Sequence, residues 1–443
     1  MAAVTPMAVR SATRLLIFLS LFLLAAAAKT QAGALEVFLR LLETARDQLA
    51  NNPSTDLDTT TRPPDFSAAD RRFQAFLDDN ELFDGISYVL VDASGVIHLK
   101  TFGDHSEELV TMIASTSKVP AVMTLLALEE DTGSSFSMDQ PIGEVFTVSG
   151  VYGDRTSAQL MSNTSGIPGL SSLALYGMHL CQFSFDPDVS FEACGQTLLT
   201  TELIGTVQPG EAFSYGGSQW QLAGVTASIA ANKTWNQLVD EYLSSPCDLE
   251  VFTFGNMWED LTQWTGAPDS LLGRHNPSIE GGAITTLADY AKLLTVHVSG
   301  GFCGTKRVLN EESLTKMRED RGGLVQKNST PYGLGWFIAE GDEGVFYDPG
   351  AFGSVSFIDT TRGIGGFVAI DDYSRTDAGA PVDLTLNEII PLVQMAFDDA
   401  NGPQQSRAVS TRSQRDSSCQ RLLIRTGQTL WVSKSFTVQL FGT

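Results

Sequence analysis

Two Ser-x-x-Lys tetrads stand in this sequence, Ser115-Thr116-Ser117-Lys118 and Ser313-Leu314-Thr315-Lys316. On a helix that spacing stacks a hydroxyl and an amine one turn apart on one face. A neutral amine so placed can take the serine proton and leave a nucleophile able to form an acyl-enzyme. A lysine becomes a base near neutrality when burial lowers its pKa. The first tetrad leads into Val119-Pro120-Ala121-Val122-Met123-Thr124-Leu125-Leu126-Ala127-Leu128, a helix apolar enough to be buried. The second lies among Glu311, Glu312, Arg318, Glu319 and Asp320, the pattern of a solvated helix. Ser115 and Lys118 are therefore the candidates. Other chemistries lack their residues: His98, His105, His179, His275 and His297 show no metal-ligating spacing, and no Gly-x-Ser-x-Gly elbow or phosphate loop occurs. No metal or organic cofactor is implied.

The surrounding pattern predicts the elements that would carry this pair. Leu35, Phe38, Leu39, Leu42, Ala45 and Leu49 recur at helical spacing, and the Thr/Asp/Pro-rich stretch Pro53 to Pro64 reads as a linker. A second helix is expected over Ser67 to Asp79 with Ser67 as N-cap. A hairpin follows, Ile86 to Val91 and Val96 to Phe102 about Asp92-Ala93-Ser94-Gly95. Helical pattern dominates from about 103 to 330. Strand signals return at Tyr332 to Ile338, Val345 to Tyr347, Ser354 to Asp359 and Gly366 to Asp371, before a helix from about Asp383 to Phe397. The expected fold is one α+β domain whose antiparallel sheet is assembled from both ends of the chain and flanked by helices, around a mainly helical middle.

The 443 residues are 43% hydrophobic and 18% charged, which excludes a disordered chain, and the net charge of -24 excludes nucleic-acid binding as a main role. Arg10 and Arg14 precede the apolar run Leu15 to Ala28, with small-residue cleavage sites at Ala26-Ala27-Ala28 and Ala32-Gly33-Ala34. This reads as an export signal, with an uncleaved signal anchor as the alternative; no other run is apolar enough to span a bilayer. Export permits the pairs Cys181 with Cys194 and Cys247 with Cys303, leaving Cys419 over. It would also expose three Asn-x-Ser/Thr acceptors, Asn163, Asn232 and Asn328. Residues 401–443 carry a net charge of +5 and differ in composition from all that precedes them. The expected organisation is a signal over 1–34, a helix and linker over 35–63, one domain over 64–400 and a basic, poorly ordered extension over 401–443.

Three segments follow the first tetrad: Ser162-Asn163-Thr164-Ser165-Gly166-Ile167-Pro168, Pro209-Gly210-Glu211-Ala212-Phe213-Ser214-Tyr215 and Tyr332-Gly333-Leu334-Gly335-Trp336. Their order is that of serine β-lactamase-related hydrolases. From about 64 to 400 the chain resembles that family, in its class C β-lactamase, D-aminopeptidase and esterase branch, which is penicillin-binding-protein-like. The resemblance implies a β-lactamase/transpeptidase-like fold, acylation of Ser115, and Lys118 and Tyr215 as managers of the proton. It implies an oxyanion hole made by the backbone N–H groups of Ser115 and Ala351, and a small-molecule ester, amide or lactam substrate, and it leaves the oligomeric state open. Two positions depart from the family. Tyr-x-Asn reads Tyr215-Gly216-Gly217, so the amide that helps hold the lysine and the substrate carbonyl is missing, with Ser218 or Gln219 as substitutes. Lys/His-x-Gly reads Asp348-Pro349-Gly350, in which Gly350 fits and Asp348 does not. An ionised Asp348 facing the cleft would repel a substrate carboxylate. The expectation is a secreted serine hydrolase favouring neutral esters; the alternative is a secreted scaffold that keeps the fold without turnover.

Overall fold

The computed structural model describes residues 63–170, 181–184, 186–256, 263–342, 344–371, 373 and 379–401. The expected signal over 1–34, the helix and linker up to Arg62, Cys419 and the basic extension beyond Asn401 lie outside the described residues. Helix α1 (Ser67–Asp79) buries Ala69, Phe73 and Phe76. Ser67 does not cap it: Phe66 holds the N-cap position, and the Asp65 carboxylate accepts the Ser67 N–H at 3.1 Å. The hairpin forms as β1 (Gly85–Asp92) and β2 (Gly95–Gly103). After β3 (Thr111–Met112) a single 3-10 turn, Ala114–Ser117, enters α2 (Lys118–Glu130).

The middle region contributes α3 (Phe191–Thr200), α4 (Gly217–Ala231), β4 (Thr253–Phe254), β5 (Ala283–Thr285) and α5 (Leu287–Val298). A small hairpin, β6 (Phe302–Cys303) with β7 (Lys306–Arg307), leads to α6 (Glu311–Arg318). Strands β8 (Phe337–Ile338), β9 (Val345–Pro349), β10 (Val355–Asp359) and β11 (Ile364–Ala369) close the sheet. The chain then runs through α7 (Gly379–Leu384), a π-helical stretch and α8 (Ile390–Asn401). The strand expected over Tyr332 to Ile338 shrinks to β8, because Gly335 at φ +82° turns the chain and leaves Tyr332 only a bridge back to Phe337.

The six-stranded sheet has the order β2-β1-β11-β10-β9-β8, so the first and last strands pair in its interior, with Ser87 opposite Ala369. Every pair is antiparallel. One face buries Val89, Val91, Ile358 and Phe367 against Val122, Leu125, Trp220 and Leu294 of the helical region. The other buries Ile86, Tyr88, Val368 and Phe357 against Phe73 and Phe76 of α1 and Ile390 and Val393 of α8. Covering both faces is why β1 reads as a continuous apolar run. Two disulfides join Cys181 to Cys194 and Cys247 to Cys303, with Cα atoms 5.5 and 5.2 Å apart, as the spacing suggested.

Candidate active site

From Thr111 to Leu128, Ser115 is the one residue that is not buried. Its turn is clamped on three sides. Strand β3 pairs with β5, and the Ala283 N–H donates to Ser117 Oγ at 3.0 Å. Thr116 Oγ1 reaches the Asp348 carbonyl at 3.2 Å and Ser354 Oγ at 3.0 Å, and Ser354 Oγ donates to the Ile113 carbonyl. From α5, Tyr290 donates its hydroxyl to the Thr116 carbonyl at 3.0 Å. Ala114 takes φ +45°, a left-handed conformation that a non-glycine residue holds only when its surroundings impose it. The strained residue stands directly before the partly exposed serine.

Lys118 opens α2, fully buried, and donates from Nζ to the Glu280 carbonyl at 3.0 Å. Nζ also lies 4.6 Å from the centre of the Tyr215 ring and 5.5 Å from that of Trp220. Tyr215 stands between amine and nucleophile, close enough for its hydroxyl to interact with both Lys118 and Ser115. The loop 162–170 holds Tyr215 there: Leu170 N–H donates to its carbonyl at 2.7 Å, and Ser214 N–H donates to the Asn163 carbonyl at 2.8 Å. Burial pushes the Tyr215 phenol up, against the pull of Lys118. Burial pulls Lys118 down, but Tyr215, Glu280 and Asp348 outweigh it and hold the ammonium form above its usual range. Burial alone therefore does not make this lysine a ready base, contrary to the expectation from its apolar helix.

The backbone N–H groups of Ser115 and Ala351 make no hydrogen bond among the described residues. Gly350 brings the second of them in. A Cβ at 350 would lie 2.3 Å from Ser354 Oγ, 2.4 Å from the Ile113 carbonyl and 2.9 Å from Thr116 Oγ1, so only glycine lets β9 approach the serine turn this closely. A stack of partly exposed rings, Tyr215, Phe337 and Tyr347, leads away along the sheet edge with centres 5.9 and 5.5 Å apart.

Asp348 corrects the sequence reading. Strand alternation turns its side chain inward from β9, where it is fully buried, and neither carboxyl oxygen completes a hydrogen bond among the described residues. Burial pushes its pKa well above the usual carboxylate range, against the pull of Lys118 and the Val119 N–H. It is an interior acid that burial pushes toward its neutral form, not a charge facing substrate. The missing amide is not replaced by Ser218 or Gln219 either. Ser218 Oγ accepts from Gln182, and Gln219 is spent on Asn163, Ser165 and the Ser214 carbonyl. Glu280 occupies the room instead: a Cβ on Gly217 would lie 1.9 Å from its carboxyl oxygen. Sequence reasoning missed Glu280, although a glycine where a side chain is needed signals that a distant residue fills the space.

The second tetrad lies apart from this site on α6. Ser313 is buried over the Asn310 cap, and Lys316 turns outward to Glu129 and Glu312. Asn163 is buried too, with Oδ1 accepting from Trp220 Nε1 at 3.0 Å and Gln219 Nε2 at 3.1 Å, which rules it out as a glycan acceptor in the fold. Asn232 and Asn328 are exposed.

An α+β domain with helices on both faces of its sheet, a partly exposed serine at the mouth of an apolar helix, a buried lysine one turn on and a tyrosine beside both defines the serine acyl-enzyme class of β-lactamase-like proteins. The β-lactamase family model matches residues 69–384, and the chain belongs to that family. Its members are serine hydrolases, among them esterases and peptidases. Among similar solved structures, EstCE1, a hydrolase with promiscuous acyltransferase activity, is 15% identical with a TM-score of 0.58, covering 75% of this chain and 98% of its own. The octameric penicillin-binding protein homologue from Pyrococcus abyssi is 17% identical with a TM-score of 0.56, covering 74% and 78%. Simvastatin synthase from Aspergillus terreus is 16% identical with a TM-score of 0.52, covering 73% and 99%. At these identities the likeness is one of fold. No curated protein is similar in sequence.

Proposed function

We propose that this protein is a secreted serine hydrolase that forms an acyl-enzyme on Ser115 with small ester or amide substrates. The observation that carries the reading is Tyr215 set beside both the partly exposed Ser115 and the buried Lys118, whose Nζ lies 4.6 Å from the centre of its ring. In attack, Ser115 Oγ bonds to the acyl carbon while its proton passes to the Tyr215 oxygen and the phenol hands its own proton to neutral Lys118. The tetrahedral oxyanion rests on the N–H groups of Ser115 and Ala351. The bond to the leaving group then breaks as the same relay returns the proton to it. Water enters by the reverse route, giving up a proton to the relay and freeing the acid.

Because its neighbours hold Lys118 in the ammonium form, the relay gains its base only as the pH rises, and turnover climbs on the alkaline side of neutrality. Asp348 is buried where relatives hold a cation, so a substrate carboxylate gains no partner there, and a net charge of -24 repels it at range. Neutral esters are the favoured substrates on this ground rather than through a repelling aspartate. Secretion rests on the N-terminal apolar run and accords with the two disulfides.

The test is intact-mass analysis after exposure to a fluorophosphonate and, separately, to a penicillin. One adduct, mapped to Ser115, is expected with the fluorophosphonate. A protein left unmodified by both reagents would be a scaffold.

A further inference from the structure

The position two residues after Tyr215 carries no side chain, yet the space beside it is filled. Glu280 comes from the loop before β5, with only 7% of its surface exposed, and its carboxyl occupies the volume that any side chain at 217 would need. The same residue meets Lys118 twice. Its carbonyl accepts the Nζ proton at 3.0 Å, and its carboxylate stabilises the ammonium form. The carboxyl also lies at the start of the 15-residue helix α4, where the helix dipole favours an anion. A residue opposite in sequence thus provides both volume and polarity at the place where the family's motif carries an amide.

We propose that Glu280 is the positioning residue of this site, taking over from the absent Tyr-x-Asn amide the task of fixing Lys118 beside Tyr215. The assignment rests on the hydrolase reading above. Three acids face Lys118: Tyr215 from the loop before α4, Glu280 from the loop before β5 and Asp348 from β9. Burial pushes Tyr215 and Asp348 toward their neutral forms, whereas the Glu280 carboxyl sits against Gly217 at the start of α4, a place that favours its anion beside the ammonium group. An amide would hold the lysine by hydrogen bonding alone. A carboxylate holds it by charge as well, and therefore ties the proton affinity of the whole relay to Glu280.

Two variants separate these effects. Glu280→Gln keeps the shape and the backbone carbonyl and removes the charge, so the acid limb of kcat/KM for a neutral ester should move down by about one pH unit. A limb that stays in place overturns the assignment, since a purely structural role would not set it. The exchange of volume is read without activity, through a melting cycle. Gly217→Asn alone drives its side chain into the Glu280 carboxyl and should melt several degrees lower. In Gly217→Asn combined with Glu280→Ala most of that loss should return, because the new amide enters the vacated space. Strictly additive losses overturn the exchange. If no variant hydrolyses ester and Ser115 takes no fluorophosphonate, the hydrolase reading and the positioning role fall together, while a coupled melting cycle still upholds the exchange of volume.

Discussion

Gly350→Ala is the sharpest probe of the oxyanion hole. The new Cβ would sit 2.3 Å from Ser354 Oγ, 2.4 Å from the Ile113 carbonyl and 2.9 Å from Thr116 Oγ1. Ser354 cannot simply swing away, since it donates to Ile113 and pairs with Thr116, and the Ile113 carbonyl belongs to the backbone leading into the nucleophile. The strand must retreat, and the Ala351 N–H retreats with it. Loss of one oxyanion donor costs roughly 100- to 1000-fold in kcat. Overpacking a close contact costs about 1–3 kcal/mol in stability, a fall of several degrees in melting temperature. The assay is kcat and KM on a short neutral ester beside a thermal melt, with Gly195→Ala as control. That substitution presses on Val225 in the packing of α3 against α4, with a Cβ 2.4 Å from its side chain, and should lower the melting temperature while sparing kcat. A Gly350→Ala enzyme that melts lower yet keeps kcat within twofold would refute Ala351 as an oxyanion donor. A rise in KM alone would show that the contact serves binding.

Ser115→Ala should abolish ester hydrolysis while Ser313→Ala leaves it nearly intact, and equal losses would move the nucleophile elsewhere. Asp348 binds a proton more tightly folded than unfolded, so its contribution to stability is present at low pH and is lost as the pH rises. Asp348→Asn should accordingly melt higher than the native protein at pH 8, with the gain shrinking toward pH 4; a difference independent of pH would show that Asp348 does not titrate as described. Burial, aided by Arg318, lowers the pKa of His297 to about 3. Its contribution is therefore present above the unfolded value of about 6.5 and lost as the pH falls toward 3. His297→Phe keeps a ring edge-on to Trp336 and should flatten the loss of stability between pH 6.5 and 4, measured by denaturant titration.

The hairpin, the buried helix after Ser115 and the late strands were legible because each carries its own periodicity or turn chemistry. The family pattern supplied Tyr215 and Gly350, which no local periodicity marks. What stayed hidden depends on contacts between distant segments. Asp348 was read as a cleft charge because sequence gives the position on a strand but not which way alternation faces it. Glu280 was missed because a glycine and the group that fills its space stand 63 residues apart. Asn163 matched an acceptor motif, and only the packing of Trp220 and Gln219 around it shows that its amide is committed to the interior.

The pairing of β1 with β11 inside the sheet also sets a schedule for the nascent chain. Ser115, Lys118 and Tyr215 leave the ribosome well before Gly350 and Ala351, and the partner of β1 emerges only with residues 364–369. At about 5–20 residues per second the nucleophile waits on the order of ten seconds or more for its oxyanion donor. Closing so long a loop is also slow, because its entropy must be lost before the strand contacts return it. On the acyl-enzyme reading, a growing chain carries a serine that cannot acylate until nearly the whole domain has been synthesised.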